Sequence, residues 1–289
     1  MSTFSERYKR YQSAFETELE AFCNKMDYTP QVLTEGMRYS LRAGGKRVRP
    51  VLFFAALDCL GVDYHRESAL ALSLELIHTY SLIHDDLPAM DNDDFRRGQP
   101  SNHKMFGEAN AILAGDGLLS LAFELAIKAS TDEAHRRAGS ILAEAAGPSG
   151  MIAGQSADLL YEKREATDAE LQFVHCHKTG KLISAPLRMA ASIACVEEDA
   201  LRSYGENLGV LFQLTDDILD EKGSSEQMGK TLGKDKKEGK LTCVRVYGLE
   251  KSEELADAYA SLCRDSLEKV SFDATFLLDF AKMVRSRQN

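Results

Sequence analysis

Two long apolar segments of this chain each run into a cluster of aspartates, and that duplication limits what the chain can fold into. "ESALALSLELIHTYSLIHDD" (67–86) ends on Asp85 and Asp86, and "EDALRSYGENLGVLFQLTDDILDE" (198–221) ends on Asp216, Asp217 and Asp220. Both carry apolar residues at helical spacing. So do "EANAILAGDGLLSLAFELAIKAS" (108–130) and "DAELQFVHCHKTGKLISAPLRMAASIA" (168–194). Only six prolines interrupt the chain, and strand-like alternation is scarce. The spacing predicts an all-α bundle of about ten or more helices. No low-complexity linker divides it, so it reads as a single domain over residues 1–289. Segments that are apolar most of the way round belong at the centre.

The formal net charge of −10 excludes a general affinity for nucleic acid or for anionic membrane surfaces. An anionic ligand must then be held by local groups of Lys and Arg. No apolar run approaches the ~20 residues of a membrane-spanning helix, and "MSTFSERYKRYQSAFETELE" lacks an apolar signal core. The six cysteines are widely spaced without a CxxC, as expected for reduced thiols. These features predict a cytoplasmic protein with no membrane insertion.

In "DDILD", Asp216 and Asp220 share a helix face, with Asp217 one step round. A row of carboxylates after an apolar run is costly unless a cation neutralises it. Oxygen donors with no Cys or His nearby suit Mg²⁺, which takes one or two protein carboxylates plus water and substrate phosphates. In "LIHDDLPAMDNDDFRRGQP" (82–100), Pro88 cannot continue a helix without losing a hydrogen bond. The residues after Asp86 are therefore expected to loop out and return Asp91 to Asp85. An EF-hand does not fit: counting from Asp91, Arg96 stands at the required glycine and Asn102 at the twelfth position. Each acidic cluster taken alone is equally consistent with a solvated helix end.

Cations gather elsewhere. "GGKRVRP" (44–50) places Lys46, Arg47 and Arg49 after a Gly-Gly turn that opens a helix and presents backbone N–H groups to an anion. The P-loop spacing is absent. Arg96 and Arg97 form a second group, and Lys178, Lys230, Lys234 and Lys240 a looser third. Two carboxylate clusters with two arginine-bearing anion sites point to two phosphorylated ligands, one held through metal and one held directly. His175 and His177, two apart on a helix, point to different faces and do not make a metal pair. His84 is expected to brace the first aspartate helix.

"GGKRVRP", "LELIHTYSLIHDDLPAMDNDDFRRG", "GQSADL", "HKTGKL", "FQLTDDILD" and "GKTLGKDKKEGKLT" occur in this order between residues 44 and 242. In these motifs the chain resembles the trans-prenyl diphosphate synthases, in particular bacterial farnesyl diphosphate synthases. The resemblance implies an isoprenoid-synthase helical bundle around a central cavity and a homodimer. It also implies the condensation of isopentenyl diphosphate with dimethylallyl and then geranyl diphosphate. It implies three Mg²⁺ ions held by Asp85, Asp91 and Asp216, with Asp86, Asp217 and Asp220 in support. Arg96, Gln155, Asp158, Lys178, Lys230 and Lys240 would hold the allylic diphosphate. Gly45, Lys46, Arg49, His78 and Arg97 would hold isopentenyl diphosphate. Gln155, Asp158, Thr179 and Gln213 would line the reacting region, with Lys178, Thr179 and Gln213 supplying dipoles to an allylic cation.

The product tail would run below Asp85. Helical phase favours Ser81, four residues before it, as the limiting position. The resemblance favours Tyr80, five before it and ~7.5 Å along the axis. A serine cannot block a channel, so the aromatic floor and a fifteen-carbon product are expected. Two stretches depart from the family pattern: Lys181 and Pro186 in "HKTGKLISAPLRMA", where Pro186 predicts a kink, and Cys243 and Arg245 in "KLTCVRVYG". Geranylgeranyl diphosphate synthase, which differs in pocket depth, is the alternative. A terpene cyclase would not combine both aspartate motifs with RRG and GGKRxRP, and a non-catalytic subunit would not keep both aspartate motifs complete.

Overall fold

A computed structural model describes residues 2–162, 166–222 and 241–287. Among these residues the chain forms fourteen α-helices. They are α1 Phe4–Lys25, α2 Gln31–Arg42, α3 Val48–Cys59, α4 Ser68–Asp85, α5 Asn102–Phe106, α6 Glu108–Ala129 and α7 Glu133–Ala146. Then follow α8 Met151–Tyr161, α9 Asp168–Val174, α10 Lys181–Ile193, α11 Asp199–Lys222, α12 Cys243–Tyr247, α13 Leu249–Ser266 and α14 Thr275–Arg285. The expected all-α architecture is observed. Two of the helices (α5 and α12) are short pieces inside what the sequence presents as connections, and the segment 168–194 divides into α9 and α10.

The long apolar segments take the centre for the reason their composition gives: a helix apolar all round has no face to offer water. α4 buries Leu70, Leu74, Leu76, Ile77 and Ile83 and packs along α6. α10 lies among α3, α7 and α11, and α11 lies against α13. α10 continues as one helix through Pro186. Aromatic rings close the base, where Tyr11 meets Tyr64 and Phe276 edge-on at 5.3 Å. α6 alone among the described helices is long and apolar enough to cross a membrane, yet it packs into this bundle against α4, α2 and α7.

The chain contains one element that periodicity does not announce. Phe95–Arg96 pairs antiparallel with Gln99–Pro100, in the register Phe95 to Pro100 and Arg96 to Gln99. The two residues between them, Arg97 and Gly98, both have positive φ, at 53° and 76°. That is the backbone of a tight hairpin turn whose twist matches its strands.

Away from these features, His135 ties α7 to the start of α4. It lies 2.8 Å from Asp132 and 3.3 Å from Glu67. Burial disfavours its charged form, but the hydrogen bonds to Asp132 and Glu67 outweigh this and raise its pKa. A raised value means that protonated His135 stabilises the fold below its unfolded pKa of about 6.5. The contribution is lost as pH rises through the folded value. The melting temperatures of wild type and His135→Gln should therefore differ most near pH 5.5, and should converge by about pH 9. A gap independent of pH would contradict the pairing.

Candidate active site

The site is built along the last two turns of α4. α4 ends at Asp85, and Pro88 prevents its continuation. The chain then folds back, so that Asp91 N–H donates to the Asp85 carbonyl at 2.8 Å and Asp93 N–H to that of Asp86 at 3.2 Å. Asn92 takes a positive φ of 50° to make the return. Asp91 is thus brought beside Asp85, as expected from the proline. Burial raises the Asp85 pKa; the Lys178 ammonium opposes this, and Asp91 adds to it. A carboxylate pressed upward by a neighbouring carboxylate is one that a cation would relieve.

Lys178 supplies part of that cation. Its Nζ is 2.6 Å from Asp158. Burial lowers its pKa, but Asp85, Asp158 and Asp91 raise it strongly. Lys178 and Thr179 sit in a single wide π-helical turn, His175–Gly180, between α9 and α10. Such turns recur at functional sites because the extra residue displaces backbone groups from their regular partners. Two glycines admit the turn: a Cβ on Gly154 of α8 would lie 2.0 Å from Lys178 N, and one on Gly209 of α11 would lie 2.4 Å from Gly180 Cα. Thr179 Oγ1 donates to Gln213 Oε1 at 3.0 Å, and Gln213 Nε2 donates to Asp217 Oδ1 at 2.9 Å.

The second acidic cluster splits by helical phase. Asp216 and Asp220 are half-exposed on one face of α11, whereas Asp217 is buried. Asp217 departs from its expected metal-supporting place. Besides Gln213, it accepts from Cys243 N–H at 2.7 Å and lies 3.4 Å from His175. Being one step round the helix, it faces the interior. Asp216 lies 3.0 Å from Arg287.

Two further expectations need correction. Asp86 is buried and accepts both Nε, at 2.9 Å, and Nη2 of Arg96. Arg96 is held by that carboxylate through Nε and Nη2, because an isolated charge at either position would be expensive to bury. Asp158 is an anion and cannot itself hold one; it acts on Lys178. Gln155, its neighbour one turn earlier, has a buried Nε2 with no partner. Asp93 lies 3.6 Å from Arg96 and Asp94 2.7 Å from Lys104. Lys230, Lys234 and Lys240 lie outside the described residues.

The other end of the site is basic. Gly44, Gly45 and Arg47 all have positive φ, and they turn the chain into α3. The hairpin turn sends Arg97 away from Arg96, onto the Gly44 carbonyl. A Cβ on Gly45 would sit 2.6 Å from the Arg97 guanidinium carbon, so that glycine leaves the room for it. Burial lowers the Arg49 pKa to about 10, with repulsion from Arg97 adding to it, and Arg49 Nε has no partner. His78 lies among Arg49, Arg97, Arg96 and Arg47, and burial and those charges hold it neutral. A neutral imidazole retains one N–H to donate. Tyr8 Oη donates to the Lys46 carbonyl at 2.5 Å.

His78 and Asp85 are seven residues apart, about 10 Å along the axis and nearly on one face. One helix thus spaces an arginine cradle from an acidic cluster. Tyr80, between them, is buried; its hydroxyl has no partner, and burial together with Asp85 pushes its pKa up to about 12. It meets His84 edge-on at 5.7 Å. His84 in turn lies 3.0 Å from the Ile112 carbonyl of α6, which is the expected brace. The hydroxyl of Ser81 turns back to the His78 carbonyl at 2.8 Å. His175 and His177 do face apart, the first toward Asp217 and the second onto Phe173.

The profile of the polyprenyl synthetase family matches residues 30–272. The chain belongs to that family. It is 40% identical over 285 residues to the farnesyl diphosphate synthase of Geobacillus stearothermophilus, covering 96% of each chain. It is 46% identical over 272 residues to the large subunit 1 of the heterodimeric geranylgeranyl pyrophosphate synthase of Arabidopsis thaliana chloroplasts, covering 90% of this chain and 73% of that one. The fold matches the Helicobacter pylori geranyltransferase complexed with magnesium and isoprenyl diphosphate, with a TM-score of 0.84 and 32% identity. That match covers 98% of this chain and 97% of the other. The chain is therefore a trans-prenyl diphosphate synthase with the isoprenoid-synthase fold.

Sequence reasoning missed Glu75, which lies in the anion cradle, and the relay role of Asp217. A charged residue inside the buried run "LSLELIH" was the available signal for the first. The tie from Asp217 to Cys243 spans 26 residues and leaves no local signal. Asp217→Ala should cost about 1–3 kcal/mol in urea unfolding, because the buried Cys243 N–H loses its acceptor. Asp216→Ala should stay within about 0.5 kcal/mol of wild type while losing activity. Equal losses of stability would contradict the division.

Proposed function

We propose that this chain condenses isopentenyl diphosphate with dimethylallyl and geranyl diphosphate to give farnesyl diphosphate and pyrophosphate. The observation that carries the reading is the spacing along α4, from His78 in the arginine cradle to Asp85 in the acidic cluster. About 10 Å along the axis between His78 and Asp85 leaves room for one isoprene unit to bond the allylic carbon. Isopentenyl diphosphate would lie on Lys46, Arg49, His78 and Arg97. The allylic diphosphate would lie at Asp85, Asp91 and Asp216.

The donor set fits Mg²⁺. It is all oxygen, it is crowded with like charge, and among the described residues no three acidic, His or Cys groups converge to enclose an ion unaided. That is the pattern of an ion that takes most of its ligands from water and substrate. Mg²⁺, when bound, supplies Lewis-acid stabilisation of the departing pyrophosphate. The protein's own residues do the rest. Lys178 adds a fixed charge beside the aspartates. Asp217 receives the Gln213 amide N–H, which presents the amide oxygen to Thr179 and engages the Thr179 proton. The lone pairs of Thr179 then face the reacting centre as a dipole suited to a cation. No side chain is required as base, because pyrophosphate remains adjacent to the proton that is lost.

Tyr80 supports a fifteen-carbon limit. A homodimer is part of the proposal, supported by the exposed Ile112, Leu113 and Ile127 on α6. So is the cytoplasm, supported by six unpaired thiols. The purified chain with Mg²⁺, isopentenyl diphosphate and geranyl diphosphate should release farnesol after phosphatase treatment, as read by chromatography. EDTA should abolish turnover. Tyr80→Ala should extend the product to twenty carbons or more. A wild-type product of twenty carbons would favour the geranylgeranyl alternative, and an unchanged product from the variant would remove Tyr80 from the role.

A further inference from the structure

Glu75 stands on α4 one turn before His78, in the middle of the basic cradle. Its side chain is 1% exposed. One oxygen accepts from Arg47 Nη1 at 2.7 Å, and the other is buried with no hydrogen-bond partner. Arg47 is fully engaged, since it also reaches Glu16 at 2.7 Å and the Leu41 carbonyl at 2.8 Å. It is a strut between α1, α3 and α4. Arg49 and Arg97 are different. Among the described residues, neither has a carboxylate within 4.0 Å, and Glu75 exerts the largest attraction on both. The cradle thus holds an excess of positive charge around one buried carboxylate that has an unused oxygen.

We propose that Glu75 is the internal counter-anion of the second diphosphate site, offsetting the charge of Arg49 and Arg97 in the ligand-free cradle and competing with the incoming diphosphate for it. The structure gives the carboxylate two jobs through its two oxygens. One fixes Arg47 and so the turn into α3. The other is buried with no hydrogen-bond partner and so is left to act through its charge. In the empty site the carboxylate offsets part of the mutual repulsion of Arg49 and Arg97. In the filled site it lies against the diphosphate as a like charge and favours release. Glu75 is therefore a positioning residue that sets affinity for isopentenyl diphosphate without touching the allylic half.

The inference rests on the assignment of this cradle to isopentenyl diphosphate. Glu75→Gln keeps the shape and an acceptor for Arg47 while removing the charge. Steady-state kinetics should show a KM for isopentenyl diphosphate about tenfold lower than wild type, with the KM for geranyl diphosphate within about twofold. Inorganic pyrophosphate should raise the melting temperature of the variant more than that of wild type. An unchanged or raised KM for isopentenyl diphosphate overturns the counter-anion role, while turnover by wild type leaves the proposed function standing. A change confined to the KM for geranyl diphosphate overturns the assignment of the cradle, and the inference with it. If Glu75→Gln does not fold, Glu75→Asp carries the test, because it keeps the charge with a shorter reach. Its KM for isopentenyl diphosphate should stay within about threefold of wild type, and a larger change in either direction overturns the inference.

Discussion

Two turns of α4 set the scale for everything else in this protein. His78 and Asp85 share a face of one rigid helix, so the basic and acidic sites have a fixed separation that no loop movement alters. The helix holds that position because it is apolar all round and packs along α6, while His84 fastens its last turn to the Ile112 carbonyl. A surface helix with a polar outer face could not carry a buried carboxylate at one turn and a neutral imidazole at the next.

The hairpin after α4 turns this spacing into two sites. Arg96 and Arg97 are adjacent in sequence, and regular backbone would leave their separation to side-chain choice. The positive φ at Arg97 instead directs one guanidinium back to Asp86 and the other to Gly44. The buried Asp86–Arg96 pair is then a structural rivet at the boundary of the two sites. Such a pair gains little net stability over apolar packing, but it is costly to break from one side. Its value here is geometric, since it fixes the turn from which Arg97 departs.

Much of this was legible in the sequence. Pro88 after two aspartates announced the fold-back of Asp91, and helical phase separated Asp216 and Asp220 from Asp217. What phase alone could not tell was where Asp217 goes, because its partner Cys243 is distant in the chain. The π-helical turn at Lys178 was hidden for a related reason. It depends on glycines at 154 and 209, in two other helices, that permit close backbone approach. Asp86 and Asp158 were placed with the ligands on motif position, whereas the burial of unlike charges pairs them with Arg96 and Lys178. Glu75 was visible as a lone acid in an apolar run, but its meaning needed the four arginines that only the tertiary fold collects.

The central claim is that one short turn assigns neighbouring arginines to different jobs. It is tested most directly by measuring both Michaelis constants in Arg97→Ala. The account predicts a KM for isopentenyl diphosphate raised about tenfold or more, with the KM for geranyl diphosphate near wild type. An equal rise in both constants, or a rise for geranyl diphosphate alone, would contradict it.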